Sequence, residues 1–393
     1  MPDYAVVGKG LPKLDASGKA IGRSQYVADM SFPNMLHGKV LRSPYAHANV
    51  LNVDASQALK LKGVKAVLTP KDILPVKYGI VPFAADQYAL CIDKVRHIGD
   101  SVAAVAAIDE DTAEEALSLI KVDYEILPAV FDPEEAMKPG APVIHEGVEN
   151  NTSVRLVKNF GDVDAGFAES DIIREDRYRT QPNNHAPMEP HGCISIWHPE
   201  NKVTIWCSTQ IPFFLRRNLA KAVGLEERDV RVIKTTVGGG FGGKLDMYAS
   251  DLCATLLSRM TCRPVRIIIG REEVFLSTRQ RHPMTIVATA ISDELEVLCH
   301  ESAVPFGPGL DHNSHGMTLA GRKEDLLPAY RDSHRAASHP GKQRGAHVGS
   351  IHIQLPAEAS PDYGLDHPHI PLLQPHRLGQ IPAQEERYLR GAP

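Results

Sequence analysis

The sequence predicts an α+β chain, on three observations. Strand-length apolar runs alternate with short helical stretches through residues 1–130. A glycine-rich octapeptide, Val237-Gly-Gly-Gly-Phe-Gly-Gly-Lys244, joins a strand-like run to a helix-like one. After about Asp293 apolar periodicity falls away and an irregular tail follows. These changes divide the chain into a first mixed unit (1–130), a linker (131–159), a second mixed unit (160–295) and the tail (296–393).

In the first unit, Lys39-Val-Leu-Arg-Ser43 and Asn49-Val-Leu-Asn-Val53 read as strands on either side of Pro44-Tyr-Ala-His-Ala48. Ser56–Lys60 suits a short helix and Val64–Thr69 a strand. Ser101-Val-Ala-Ala-Val-Ala-Ala-Ile108 is apolar throughout, the pattern of a strand buried on both faces. Asp111 is placed to cap the next helix with Glu114 bonding back, and Ala113, Ala116, Leu117 and Ile120 give that helix an apolar face. Val122-Asp-Tyr-Glu-Ile-Leu127 is again strand-like. The linker is marked by Pro128, Pro133, Pro139, Gly140 and Pro142. In the second unit Pro212–Val223 reads as an amphipathic helix, Val230–Val237 as a strand and Leu245–Met260 as a helix, with Ala249, Leu252, Cys253, Leu256 and Met260 near helical spacing.

With 393 residues, 43% hydrophobic and 23% charged, the chain suits a globular protein of two or three domains. A net charge of −5 gives no reason to expect a nucleic acid or an anionic membrane as partner. Met1-Pro-Asp-Tyr-Ala-Val-Val-Gly-Lys9 lacks the basic-then-apolar pattern of a secretory leader, and no apolar run approaches the length of a membrane span, so a cytoplasmic location is expected. The six cysteines (Cys91, Cys193, Cys207, Cys253, Cys262 and Cys299) form no CxxC pair and no zinc or iron–sulfur spacing. They read as reduced, mostly buried thiols, so any electron carrier must lie outside this chain.

The octapeptide places five glycines around a single aromatic, Phe241. Without a Cβ the backbone can take positive φ and bring its amides close to a ligand. The nucleotide loop GxxxxGK[S/T] matches from Gly238 to Lys244 but fails at Leu245, where the magnesium-binding hydroxyl belongs. The dinucleotide pattern GxGxxG matches at Gly238, Gly240 and Gly243, but no acid stands at the expected distance, where the chain reads Cys262-Arg-Pro-Val-Arg-Ile-Ile-Ile269. A tight strand-to-helix turn is the remaining plain reading.

Val237–Lys244 closely resembles the glycine loop of the molybdenum hydroxylase large subunit, the xanthine dehydrogenase/aldehyde oxidase family. Three more segments agree in order: His185-Ala-Pro-Met-Glu-Pro-His191-Gly192, Trp206-Cys-Ser-Thr-Gln210, and Arg271-Glu-Glu-Val-Phe275 with Arg281-His282-Pro283. In the first unit, Leu36–His47 and Arg96-His-Ile-Gly-Asp100 are similar to the family's α/β hammerhead domain. The resemblance covers about the first three-quarters of the chain. It implies a hammerhead domain followed by the N-terminal part of the first molybdenum-cofactor-binding domain.

The implied activity is a molybdenum-dependent oxidation drawing oxygen from water, with iron–sulfur and FAD groups on partner subunits. The resemblance makes Gln210 the donor to the apical oxo group of a molybdopterin-type cofactor, and Gly239, Gly240, Phe241 and Gly242 the backbone beside it. A neutral carboxamide suits that task because it donates without adding charge. No protein ligand to the metal is implied, since the pterin sulfurs hold it. Lys244 is left open between an anionic group of the cofactor and solvent. Glu189 could be taken for a base, but the family uses this segment as a structural strand entry. His185 and His191 are likewise implied to be hydrogen-bonded structural histidines, and Arg281-His282-Pro283 to pack a domain junction.

Purine-hydroxylating members carry a glutamate where this chain has Leu245, which speaks against xanthine as substrate. The cysteine-containing loop of the carbon monoxide branch is not found. Aldehydes, N-heterocycles and aromatic thioesters stay open, and the stretch from Asp93 to Glu135 with Phe160-Gly-Asp-Val163 is somewhat closer to the aryl-CoA reductase branch. The family's general-base glutamate, in a GxGE-type segment, is not found, nor is a second cofactor domain. The expectation is a truncated large subunit with a partial cofactor site, inactive by itself and completed, if at all, by a second chain. The alternative is a catalytically inactive remnant.

Ten of the 18 histidines fall from His300 onward, among dense prolines. Leu365-Asp-His-Pro-His-Ile-Pro371 and Arg344-Gly-Ala-His347 offer neither a helix face nor strand alternation. An out-of-frame or junction translation accounts best for this mixture. A genuine disordered tail and a His-rich metal-binding tail are the alternatives. The pairs His312/His315 and His367/His369 lack flanking thiols and make poor ligand sets.

Overall fold

The computed structural model describes residues 6, 8–80, 85–152, 155–156, 162–293, 296–304, 316–320 and 353–354. The first unit contributes strands β1 (Leu36–Arg42), β2 (Ala48–Asp54), β3 (Val64–Leu68), β4 (Lys94–Val95) and β5 (Ser101–Ala107), helix α1 (Glu110–Ser118) and strand β6 (Lys121–Ile126). Then come α2 (Val163–Glu169), β7 (Ile172–Arg179), β8 (Gly192–His198), β9 (Lys202–Cys207), α3 (Pro212–Val223), β10 (Val230–Lys234), α4 (Ala249–Thr261), β11 (Val265–Ile268) and α5 (Arg271–Ser277). Strands β12 (Thr285–Asp293), β13 (Glu296–Val304) and β14 (Gly316–Ala320) follow.

One seven-stranded sheet, in the order β10-β9-β8-β11-β1-β5-β3, joins the two units that the sequence separates. The joint is β1 against β11, parallel, with Leu36 opposite Val265. Every residue of β5 is buried, as its apolar run demands, because sheet neighbours flank it and α1 and α4 pack near it. The main core lies between this sheet and helices α3 and α4. Leu36, Ile205, Leu215, Leu219 and Leu257 are fully buried in it. A smaller sheet, β4-β2-β6, completes the first unit.

Helix α3 begins with Pro212 in its first turn and stops at Gly224, whose φ of +74° ends it in the left-handed cap. Three sequence expectations shift. The cap of α1 is Asp109, not Asp111; its carboxylate accepts from the Thr112 N–H. Helix α4 starts at Ala249, not Leu245, because Lys244 to Met247 are held in loop hydrogen bonds. The Tyr248 N–H donates instead to Asp251 Oδ2 as the cap. The strand before the loop ends at Lys234 rather than Val237.

The stretch read as linker is anchored. Asp132 caps the short helix Pro133–Ala136. Arg96 donates to the carbonyl of Ile144 at 3.2 Å and to Glu146 at 3.0 Å, and Lys94 also pairs with Glu146. Asn183 and Arg281 exchange backbone hydrogen bonds of 3.1 and 2.9 Å, so the Arg281-His282-Pro283 segment runs beside residues 180–183.

Strand pairing continues past residue 295, where the tail is expected to begin. β13 pairs antiparallel with β12, and β14 pairs with β13, so residues 296–304 and 316–320 extend a second sheet. The physical reason is that β12, paired with β7 on one edge, has a second edge whose backbone groups need partners. Val297-Leu-Cys-His300 alternates too weakly to show this in sequence. The pairs His312/His315 and His367/His369 lie outside the described residues. No helix among the described residues is long and apolar enough to cross a membrane.

Candidate cofactor-binding site

The octapeptide links the end of β10 to α4 and is held from two sides. On one side stands Gln210, just past the end of β9. Its backbone N–H donates to the carbonyl of Lys244 at 2.9 Å. Its Oε1 accepts from the N–H groups of Gly242 (3.2 Å) and Lys244 (3.1 Å). Two N–H donors require an oxygen, so this pattern fixes which end of the carboxamide faces the loop. The Nε2 amino group is left at the other end, with no partner among the described residues. Gly240 makes the approach possible, since a Cβ there would lie 2.5 Å from Gln210 Oε1.

On the other side runs the segment of residues 185–189. The Gly238 N–H donates to Glu189 Oε2 at 2.7 Å, and the same oxygen accepts from Lys244 Nζ at 2.7 Å. A Cβ on Gly243 would run into the imidazole of His185. Between these supports the chain turns through Gly239 (φ +102°), Phe241 (φ +52°) and Gly242 (φ +87°), closed by a Gly243 N–H to Gly240 carbonyl bond of 2.7 Å. Phe241 is 78% exposed and left-handed, which an aromatic L-residue adopts only where its surroundings enforce it. The N–H groups of Gly239, Gly240 and Phe241 donate to no protein acceptor among the described residues.

All five expected cofactor residues, Gln210, Gly239, Gly240, Phe241 and Gly242, therefore meet on one short turn. The donor set is neutral: a carboxamide amino group and backbone N–H groups. Such a set fits an oxo-bearing group better than a highly charged one. The loop does not aim the start of α4 at a ligand, as a nucleotide loop would, because five residues separate Gly243 from Ala249 and Asp251 caps the helix.

Neither sequence reading of Lys244 holds. Its side chain is 1% exposed and its ammonium is spent on Glu189. Burial lowers its pKa, with Glu189 opposing. Asp246 is also turned inward, 2% exposed and paired with Arg279; burial raises its pKa, with Arg279 opposing. His185 is half-buried, and burial lowers its pKa against a hydrogen bond to the backbone of Arg279. His191 Nε2–H donates to Asp251 Oδ1 at 2.8 Å, both buried, with the Cys207 sulfur 3.5 Å from the same carboxylate oxygen. Burial pushes the Cys207 thiol well up, so it sits there as a protonated neighbour of Asp251 rather than as a thiolate. Sequence spacing could not reveal this cluster, which brings β8, β9 and α4 together.

A cavity between the two units is lined among others by Arg42, Arg96, Asp100, Asp246 and Arg279. Its charges are paired internally, Arg42 with Glu273 at 3.0 Å and Arg279 with Asp246, so the exposed turn at Phe241 is the better site.

Two family models match this chain. The aldehyde oxidase and xanthine dehydrogenase a/b hammerhead domain covers residues 21–128, and the molybdopterin cofactor-binding domain covers residues 144–304. The chain belongs to the molybdenum hydroxylase large-subunit family. It is 40% identical over 288 residues to the nicotinate dehydrogenase large molybdopterin subunit of Eubacterium barkeri, covering 72% of this chain and 66% of that one. It is 38% identical over 297 residues to a probable xanthine dehydrogenase subunit of Bacillus subtilis, covering 75% of this chain and 39% of that one. Among solved structures, quinoline 2-oxidoreductase from Pseudomonas putida 86 superposes with a TM-score of 0.65 at 30% identity, over 72% of this chain and 37% of that one. The chain thus spans from about two-fifths to two-thirds of these relatives. The cofactor-domain match begins inside the stretch read as linker and runs through β13.

Proposed function

We propose that this chain is the molybdenum-binding subunit of a hydroxylase acting on a small N-heteroaromatic ring. The observation that carries the reading is the Gln210 carboxamide, locked by two loop N–H groups so that its amino group is free beside the strained turn at Phe241. Gln210 would donate from Nε2 to an oxo group of the cofactor, and Gly239, Gly240, Phe241 and Gly242 would line it. When bound, the cofactor supplies two-electron oxidation chemistry with water as the oxygen source. Phe241 excludes water from the turn and offers an aromatic face to a flat substrate.

The ring class rests on two supports. The relative at 40% identity is named for nicotinate. Leu245, half-buried and apolar, stands where purine hydroxylases carry a glutamate, so nothing at that position engages a second, hydrogen-bonding ring. Aldehydes and aromatic thioesters are the competing classes.

Iron–sulfur and FAD subunits would take the electrons. A second chain would complete the cofactor's surroundings, including the base glutamate. In support, the E. barkeri relative is little longer than this chain, since 288 aligned residues make up 66% of it, while 297 make up only 39% of the B. subtilis relative. Cys91, Cys193, Cys207 and Cys253 are buried and free and Cys262 is exposed and free, which suits a cytoplasmic location.

The test is to purify the complex from its native host by a tag on this chain. Molybdenum is then measured per chain, and hydroxylation is assayed on a pyridine carboxylate, a purine, an aromatic aldehyde and an aryl thioester. Turnover of the pyridine carboxylate with little on the purine is expected. Faster purine or aldehyde oxidation overturns the ring class. A complex without molybdenum favours the inactive remnant.

A further inference from the structure

Two sequence segments that look independent, residues 185–189 and the glycine loop, are packed as one device. Alternate residues of the first lie on glycines of the second. His185 occupies the space of a Gly243 side chain, Pro187 would lie 3.2 Å from a Cβ on Gly239, and the Glu189 Cβ 2.6 Å from one on Gly238. Glu189 also clasps Gly238 by backbone, its N–H donating to the Gly238 carbonyl at 3.1 Å.

The carboxylate of Glu189 then reaches further. Its Oε2 takes both the Gly238 N–H and the Lys244 ammonium, the two ends of the glycine run. Lys244 is in turn bonded by backbone to Gln210 in both directions, N–H to Oε1 at 3.1 Å and carbonyl from Gln210 N–H at 2.9 Å. A connected path runs from Glu189 through Lys244 to the carboxamide of Gln210. Among the described residues Glu189 Oε1 is buried without a partner, so Oε2 carries both contacts. A lysine that is 1% exposed has no water to fall back on, so removing its counter-charge forces it to move.

We propose that Glu189 is a positioning residue: acting through Lys244, it fixes the end of Gln210 that faces the cofactor. Lys244 is the connecting strut and binds no ligand. The inference rests on the cofactor reading of Gln210, but its structural half can be tested without cofactor.

Amide hydrogen exchange is measured on the full chain, wild type and Glu189→Gln. Loss of the charged clasp should speed exchange at Gly242 and Lys244 by about tenfold or more, the scale of one charge-assisted hydrogen bond, while amides of β8 and β9 keep their protection. A purely structural role would loosen all of these together. In the complex purified from the native host, the same variant should lose molybdenum. Unchanged exchange at Gly242 and Lys244 overturns the positioning role. Faster exchange with molybdenum fully retained overturns the link to the cofactor. Gln210→Ala separates the two readings there: if it also retains molybdenum the cofactor reading itself fails, and if it loses molybdenum only the role of Glu189 fails. Should Glu189→Gln not fold, the pair Glu189→Gln with Lys244→Met leaves no orphaned cation, and the same local exchange is expected of it.

Discussion

Replacing Gly240 by alanine tests the geometry at the centre of the site. An ideal Cβ on Gly240 would lie 2.5 Å from Gln210 Oε1, 2.7 Å from Cδ and 3.1 Å from Cγ, where ordinary contact begins at 3.4 Å. Three consecutive atoms are too close, so the whole carboxamide must retreat by about 0.9 Å at its oxygen. At that displacement the Oε1 bonds to Gly242 and Lys244 N–H, now 3.2 and 3.1 Å, are lost. Two such bonds together are worth about 1–3 kcal/mol. Gly240 is not in the left-handed region, so alanine adds no backbone strain and should stiffen the unfolded chain slightly in the protein's favour. The cost is therefore owed to Gln210 alone. In a Gln210→Ala background the bonds are already absent, and Gly240→Ala should be neutral or stabilising. The double-mutant coupling should be about 1–3 kcal/mol. Denaturant unfolding followed by tryptophan fluorescence reads it, because the two tryptophans, Trp197 and Trp206, sit on β8 and β9. Additive effects, with Gly240→Ala equally damaging in both backgrounds, would refute the clamp.

Phe241→Gly should raise stability by up to about 1 kcal/mol, because a side chain that is 78% exposed at φ +52° contributes strain and little burial; molybdenum retention in the complex should fall, and a lowered unfolding midpoint would count against stored strain. Acid should loosen the clasp on β4 in two stages. Burial, then Arg96 and Lys77, hold His145 down at about 4, below its ordinary 6.5, so the unfolded chain protonates first and stability is lost as pH falls from 6.5 to about 4. Burial would push Glu146 up, but Lys94 and Arg96 outweigh it and hold it at about 2, so its contribution is present above 4.5 and fades towards about 2. Exchange at residues 94–96 across this range checks both, and Glu146→Gln should erase the lower stage and extend the upper one to lower pH, since the Glu146 charge raises His145. ATP and NAD should give no thermal shift, and a shift with either would restore the nucleotide reading of the loop.

Local pattern carries much of the fold into the sequence. Helix α3 is legible to the residue because Pro212 and Gly224 punctuate both ends. β5 is legible because seven apolar or small residues in a row suit few other places. What stays hidden depends on distant partners. No local signal says that Leu36 pairs with Val265 and makes one sheet of two units. Periodicity misplaces the start of α4 because Leu245 fits the apolar spacing, while its neighbours are committed to Gln210 and Arg279. That Gln210 and Gly239–Gly242 pack together is legible from their motif positions. The fate of Lys244 is not, because its partner Glu189 lies in another motif 55 residues away.

That pairing also decides what the loop is suited to hold. A lysine closing a glycine run is the cation a phosphate needs, and the sequence alone leaves that reading open. In the folded chain the ammonium is neutralised by Glu189 at 2.7 Å, so an incoming phosphate would meet a carboxylate beside the cation rather than a free charge. The helix dipole is no substitute, since α4 begins beyond the loop under the Asp251 cap. The donors left without a protein partner among the described residues are uncharged: the amino group of Gln210 and the N–H groups of Gly239, Gly240 and Phe241. The fold has taken the charge out of the loop and kept its donors. On the proposed function, that would suit a ligand whose oxygens are already balanced by a metal, with the buried Glu189–Lys244 pair setting the loop's charge as well as its shape.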